Sequence, residues 1–254
     1  TTILHSIGQW IQVNGKSIYG GAATPLPLQS WGVSTRKDNT IYLQVFHWPV
    51  NGKLVVGGLL SDIDKAYLLS DPAQRALPVK RVNEKDLMIG LPEKAPDTVN
   101  TVIALEMKGA IKTDSIRLLS TQHIGNRLLA FDSELQGKGL RFGDGKKDKY
   151  YVYGWDRPNQ WMSWTFRVND PAVYHVIIKY ATDGANRGSV YSIGLGSQVI
   201  QKQVQYQKGN DKIYTEDIGT IAAPKGVSQL TIKPAAIKGN EVMKLFEIDL
   251  IPGK

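Results

Sequence analysis

The 254-residue sequence contains no cysteine, so it holds neither a disulfide nor a thiolate-bound metal. That absence leaves the compartment open, because many exported bacterial proteins also lack cysteine. No apolar run approaches the roughly 20 residues that cross a bilayer, which argues against membrane insertion. A basic, apolar, small-residue leader is also missing, although a processed chain would have shed one. Histidine is scarce. His5, His47, His123 and His175 stand apart, without the HExxH spacing of a zinc site. There is no Gly-x-Ser-x-Gly nucleophile elbow, and Gly194-Leu195-Gly196 is too short to cradle a phosphate. Neither a metal nor a cofactor is expected.

What is present is an ordinary globular composition, 42% hydrophobic and 21% charged, enough for one large domain or two smaller ones. The formal charge of +8 raises the question of nucleic acid. The basic residues are dispersed, as Arg36-Lys37, Lys80-Arg81 and Lys146-Lys147-Asp148-Lys149. The last run follows Gly143-Asp144-Gly145, a turn signal, and reads as a solvated hairpin tip. Nucleic-acid binding is not expected.

Residues 1–14 carry apolar side chains at Ile3, Leu4, Ile7, Trp10 and Ile11, the stripe of an amphipathic helix. Gly15 is placed to end that helix in a left-handed conformation. Such a helix is expected to dock on a larger body, most of which this sequence lacks. After it the period changes. Seven short apolar or alternating segments, 31–37, 40–48, 53–59, 65–70, 77–83, 86–91 and 100–107, are separated by turn signals such as Asp38-Asn39 and Asn51-Gly52. They predict an antiparallel sandwich.

Two motifs in this region carry a resemblance. IGQWIQVNGKSIYG (7–20) followed by WGVSTRKDNTIYLQVFHWP (31–49) resembles the end of an alpha-L-fucosidase of glycoside hydrolase family 29. In that family a helix of this pattern closes the catalytic (β/α) barrel and a β-sandwich follows. Lys16 departs from the family's usual glutamate. The resemblance covers about residues 3–107. It implies a parent enzyme that hydrolyses terminal alpha-L-fucosyl linkages with retention, using two carboxyl groups about 5 Å apart. The nucleophile of such an enzyme lies upstream of the helix, so no catalytic residue is expected in this chain. The remaining close acids, Asp62 with Asp64 and Glu84 with Asp86, are expected on solvated loops, where carboxylates lack an environment that splits them into acid and base.

A polar break at 108–114 precedes eleven further candidate strands with no intervening helix, the pattern of a jelly roll. Within them WDRPNQWMSW (155–164) holds three of the six tryptophans. Met162, Trp164, Phe166 and Val168 alternate, which assigns Trp164 to a core face. Trp161 stands at the strand entrance. Trp155, beside the turn-rich Asp156-Arg157-Pro158-Asn159, has two readings. It either caps the sandwich edge or is exposed, where a flat ring beside Asp156, Arg157 and Asn159 suits a pyranose. Trp155, Asp156, Arg157, Asn159 and Trp161 are therefore the candidate carbohydrate-binding residues.

Residues 112–252 resemble the carbohydrate-binding jelly rolls of families 6 and 35, mainly at core positions. Many of those modules hold structural calcium through glutamates on the first strand and an aspartate on the last. Asp249 is a counterpart of the aspartate, but SIRLLSTQHIG (115–125) has no glutamate, so calcium is not supported. The expected organisation is mainly β. A short terminal helix of a missing barrel (1–20) precedes a fucosidase-type β-sandwich (21–111) and a carbohydrate-binding-type jelly roll (112–254). The expected partners are a glycan and the missing barrel, and family analogy places the protein in the periplasm or outside the cell. An autonomous lectin-like protein and a purely structural pair of sandwiches remain alternatives.

Overall fold

A computed structural model of the chain describes residues 2–122, 124–146, 149–206 and 213–253. His123, Lys147 and Asp148, named above, lie outside the described residues. The structure is mainly β and divides into two compact units, Thr1–Leu118 and Leu119–Lys254. Thr113 bridges Leu59, and Asp114 donates its N–H to Gly58 O at 2.9 Å, which ties residues 113 and 114 to the first unit. Among the described residues no helix is long and apolar enough to cross a membrane.

All seven strands expected in the first unit form. A five-stranded antiparallel sheet runs Ala22–Ala23, Gly32–Lys37, Thr40–Val45, Thr101–Met107, Ile63–Leu68. A three-stranded sheet runs Lys53–Gly57, Asp86–Gly90, Val79–Asn83. Ile41, Leu43, Leu54, Val56, Ile89 and Ile103 belong to one core built from strands of both sheets. The strand Thr101–Met107 is almost continuously apolar because both of its faces are covered. Its second face, with Tyr42, Tyr67 and Ala104, carries Trp10 of the helix Thr2–Asn14.

Polar side chains pin the end of that helix. Trp10 Nε1 donates to Asn100 O (2.8 Å), and Asn100 Nδ2 donates to Gln44 Oε1 (2.9 Å). Gln44 Nε2 donates in turn to Ser17 Oγ (2.9 Å). Gly15 does not take the left-handed conformation expected of it. The helix tightens into a 3-10 turn over Gly15–Ser17, and the positive φ falls at Gly20 (+69°). A Cβ at Gly15 would meet the Tyr19 ring at 3.2 Å, a tight contact that this exposed ring can relieve by a small shift. Upstream, Ile3 and Leu4 are about three-quarters exposed and Ile7 about half.

The second unit is a sandwich of two antiparallel sheets. One has the order Arg141–Phe142, Val152–Tyr153, Lys244–Pro252, Ala172–Ala181, Tyr214–Ala223, with Asn126–Leu129 also paired to Lys244–Pro252. The other has the order Glu134–Gln136, Trp161–Val168, Gly226–Ala236, Val190–Leu195, Gln198–Gln203. Glu134–Gln136 was not expected, being three residues too short to show a period. Met162, Trp164, Phe166 and Val168 all enter the core, as their alternation requires.

Three tyrosines, Tyr174, Tyr180 and Tyr191, are fully buried in this core. Tyr180 Oη donates to Glu216 Oε1 (2.6 Å) and accepts from Gln205 N (3.0 Å). Burial disfavours the phenolate and raises all three pKa values, that of Tyr174 to about 12. An unfolded tyrosine ionises near pH 10, so above that pH the unfolded chain releases protons that the fold retains. The contribution to stability is therefore full below about pH 10 and is lost as pH rises toward 12. Denaturant unfolding at a series of alkaline pH values should show this fall, with an ultraviolet titration resolving early and late classes among the eleven tyrosines. A single class, or a stability flat to pH 12, would refute the assignment.

Candidate glycan-binding surface

The loop 154–160 is built around one glutamine. Gly154 has φ +77°, and a Cβ there would lie 2.6 Å from Gly139 O, so only glycine fits. Gln160 is fully buried. Its Oε1 accepts from the N–H groups of Asp156 (2.7 Å) and Arg157 (2.8 Å). Its Nε2 donates to Lys138 O (2.7 Å) and Gly154 O (3.1 Å). The amide thus uses both donors and two acceptor sites, closing the turn as a backbone would.

Trp155 lies beneath that turn and is 0% exposed. Its Nε1 donates to Gln160 O (2.9 Å), and its own carbonyl accepts from Val242 N (2.8 Å). The reading of Trp155 as an exposed sugar platform is therefore corrected. The ring is a core side chain with no free face, because an indole sealed by its own loop gains both burial and a partner for its N–H.

Asp156, Arg157 and Asn159 are exposed on the same loop. Arg157 Nε lies 3.5 Å from Asp156 Oδ1 with both side chains about half exposed, a pair of little energetic weight. Trp161 is half-buried and faces away from the core that Met162 enters. The Lys233 ammonium sits 4.8 Å from the centre of its ring. Sequence adjacency thus keeps four of the five candidates at the surface and removes the fifth.

Sequence reasoning missed the rest of this face. Ile193, Leu195, Leu230 and Ile232 are core residues, so the alternate positions Ser192, Gly194, Thr231 and Lys233 face outward. Ser192 pairs with Lys233, and Gly194 pairs with Thr231 on one side and Val199 on the other. Together with Gln229 these residues line a groove of about 320 Å³. A second groove, of about 740 Å³, opens at one end of the sandwich between Pro171, Ser197 and Pro224. The signal available was the period-2 run of small and polar residues within SIGLG and LTIKP, which propensity alone does not distinguish from a solvated strand.

Of the acids, Asp62, Asp64 and Glu84 are exposed, but Asp86 is not. The expectation of a solvated Asp86 is corrected. It is 0% exposed, its Oδ1 accepting from Gly58 N (3.1 Å) and its Oδ2 from Asn83 Nδ2 (2.9 Å). Gly58 has φ +80° in a turn whose N–H no strand partner reaches, and the carboxylate fills that role. His175 Nδ1 lies 3.2 Å from Asp217 Oδ2 at the surface. The Asp249 carboxylate packs on Gly125, where a Cβ would come within 2.5 Å of Oδ2. Among the described residues no three His, Cys, Asp or Glu side chains gather as a metal site.

No family model and no curated protein matches the chain. Among solved structures it is similar to an alpha-L-fucosidase from Vibrio sp. strain EJY3, with a TM-score of 0.60 and 21% identity, covering 97% of this chain and 44% of that one. An alpha-L-fucosidase isoenzyme 1 from Paenibacillus thiaminolyticus is 30% identical over 42% of this chain and 26% of its own, with a TM-score of 0.39. A Podospora anserina GH26-CBM35 beta-(1,4)-mannanase is 16% identical over 51% of this chain and 28% of its own, with a TM-score of 0.42. The chain spans less than half the length of the Vibrio enzyme and shares the fold of that part of it.

Proposed function

We propose that this chain is the non-catalytic C-terminal region of an alpha-L-fucosidase-like glycoside hydrolase. The observation that carries the reading is the fold shared with part of the Vibrio fucosidase along nearly the whole of this chain. The fucosidase-like motifs at 7–20 and 31–49 support it from the sequence, and so does the apolar helix face at Ile3, Leu4 and Ile7 left open to solvent. In this reading the helix packs on the catalytic barrel of the parent chain, which cleaves terminal alpha-linked fucose with retention and works outside the cytoplasm. The second unit supplies glycan binding, supported by an outward tryptophan, Trp161, beside exposed Asp156, Arg157 and Asn159.

An aryl alpha-L-fucoside tests the first part. The purified 254-residue chain is expected to release no fucose, whereas the polypeptide extended by its upstream reading frame does. Release by the chain alone, or an upstream frame encoding no barrel, overturns the proposal.

A further inference from the structure

The trough on the outward face of the second unit has a built floor and a single charge. Gly194 lies inside the strand Val190–Leu195, between Thr231 and Val199, with no positive φ that would require glycine. A glycine inside a strand forfeits packing and is at home where a ligand approaches the backbone. Here the missing side chain is what opens the groove: a Cβ at 194 would point into it, 3.2 Å from Thr231 Oγ1. The walls are hydroxyls and an amide, from Ser192, Thr231 and Gln229, with one aliphatic surface at Val199. These suit the hydroxyls and C–H face of a sugar ring.

Charge narrows the ligand. Lys233 is the one ionisable residue lining the groove among the described residues, and no described carboxylate lines it. Its ammonium forms no ion pair among the described residues and rests instead over Trp161, which holds it at the end of the trough. A cation without a counter-charge at the end of a polar trough complements an anion.

We propose that the trough over Gly194 binds an anionic saccharide, with its acidic group on Lys233 and its ring on the floor between Thr231 and Val199. The inference rests on the glycan-binding part of the reading above and names the ligand class and the residues. Uronic acids and sulfate esters share the required chemistry.

Calorimetric titration of the 254-residue chain with tri-galacturonate, its methyl ester and a sulfated galacto-oligosaccharide tests it. One or both acidic probes should bind, and the ester should bind at least about tenfold more weakly, as expected for loss of a charge-assisted contact. Whichever acidic probe binds identifies the anion. Lys233→Gln should weaken acidic binding by a similar factor. Gly194→Val should abolish it while the fold is kept, since valine suits a strand and Thr231 Oγ1, 3.2 Å from the new Cβ, has only to turn aside; a cooperative melt of the variant checks this. Should Gly194→Val fail to fold, Lys233→Gln and the ester still decide. Equal binding of acid and ester, or no effect of Lys233→Gln, overturns the anionic inference and leaves glycan binding standing. Silence toward all three probes and toward a broad neutral glycan panel overturns both.

Discussion

Trp155→Ala is expected to lower the stability of the Leu119–Lys254 unit by about 3–5 kcal/mol, the usual cost of removing a fully buried large aromatic. The indole touches no solvent, so truncation leaves a cavity beneath the loop 154–160. It also strands the Gln160 carbonyl that accepts the indole N–H. Trp155→Phe keeps most of the volume and loses only the donor, so it should cost less. Chemical denaturation of the two variants beside the parent measures the difference. A Trp155→Ala protein with an unchanged midpoint and selectively lost sugar affinity would restore the platform reading and refute the burial described here. Trp161→Ala is the contrasting control, because that ring is half-buried and faces outward.

Gln160 should be nearly as sensitive, and in a way that pH reports. Its side chain satisfies two backbone N–H groups and two carbonyls that no strand reaches. Gln160→Ala leaves these groups unpartnered, at about 1–3 kcal/mol for each that water cannot reach. Gln160→Glu is more informative. The introduced carboxylate still accepts from Asp156 N and Arg157 N, but it turns a negative oxygen toward the carbonyls of Lys138 and Gly154. The protonated acid can donate to one of them. Two backbone N–H bonds favour the introduced carboxylate, whereas complete burial and the two facing carbonyls oppose it. Where the opposing effects prevail the folded pKa lies above the unfolded value, and the variant is expected to be most stable in mildly acidic solution and to weaken as pH rises through the folded pKa. A Gln160→Glu protein as stable at neutral pH as the parent would show that the amide is not the clamp of this loop.

These two residues also show where sequence reasoning stopped. The helix, the seven strands of the first unit and the core face of Met162, Trp164, Phe166 and Val168 were legible, because each is set by a local period. The continuous run at 101–107 was legible as a strand. Its cause was not, since only the structure places Trp10 and a polar network over its second face. The left-handed backbone expected at Gly15 falls at Gly20, because the 3-10 turn that extends the helix over Gly15–Ser17 leaves no mark in the local pattern. Asp86 looked like half of a surface pair until its carboxylate was found supplying the acceptor for a turn N–H at Gly58, 28 positions away.

Local pattern was enough for the mainly β architecture, the position of the amphipathic helix, the absence of cysteine chemistry and the motifs that resemble the end of a fucosidase. Periodicity and turn chemistry act over a few residues and survive in any context. Long-range packing settled which aromatic of WDRPNQWMSW is sealed and which faces out, and brought Ser192, Gly194, Thr231 and Lys233 into one groove. Exposure of a loop side chain depends on what distant segments lay over it. Here those segments are Lys138, Glu241 and Val242, which reach Gln160, Gly154 and Trp155 across 22 to 87 positions of chain.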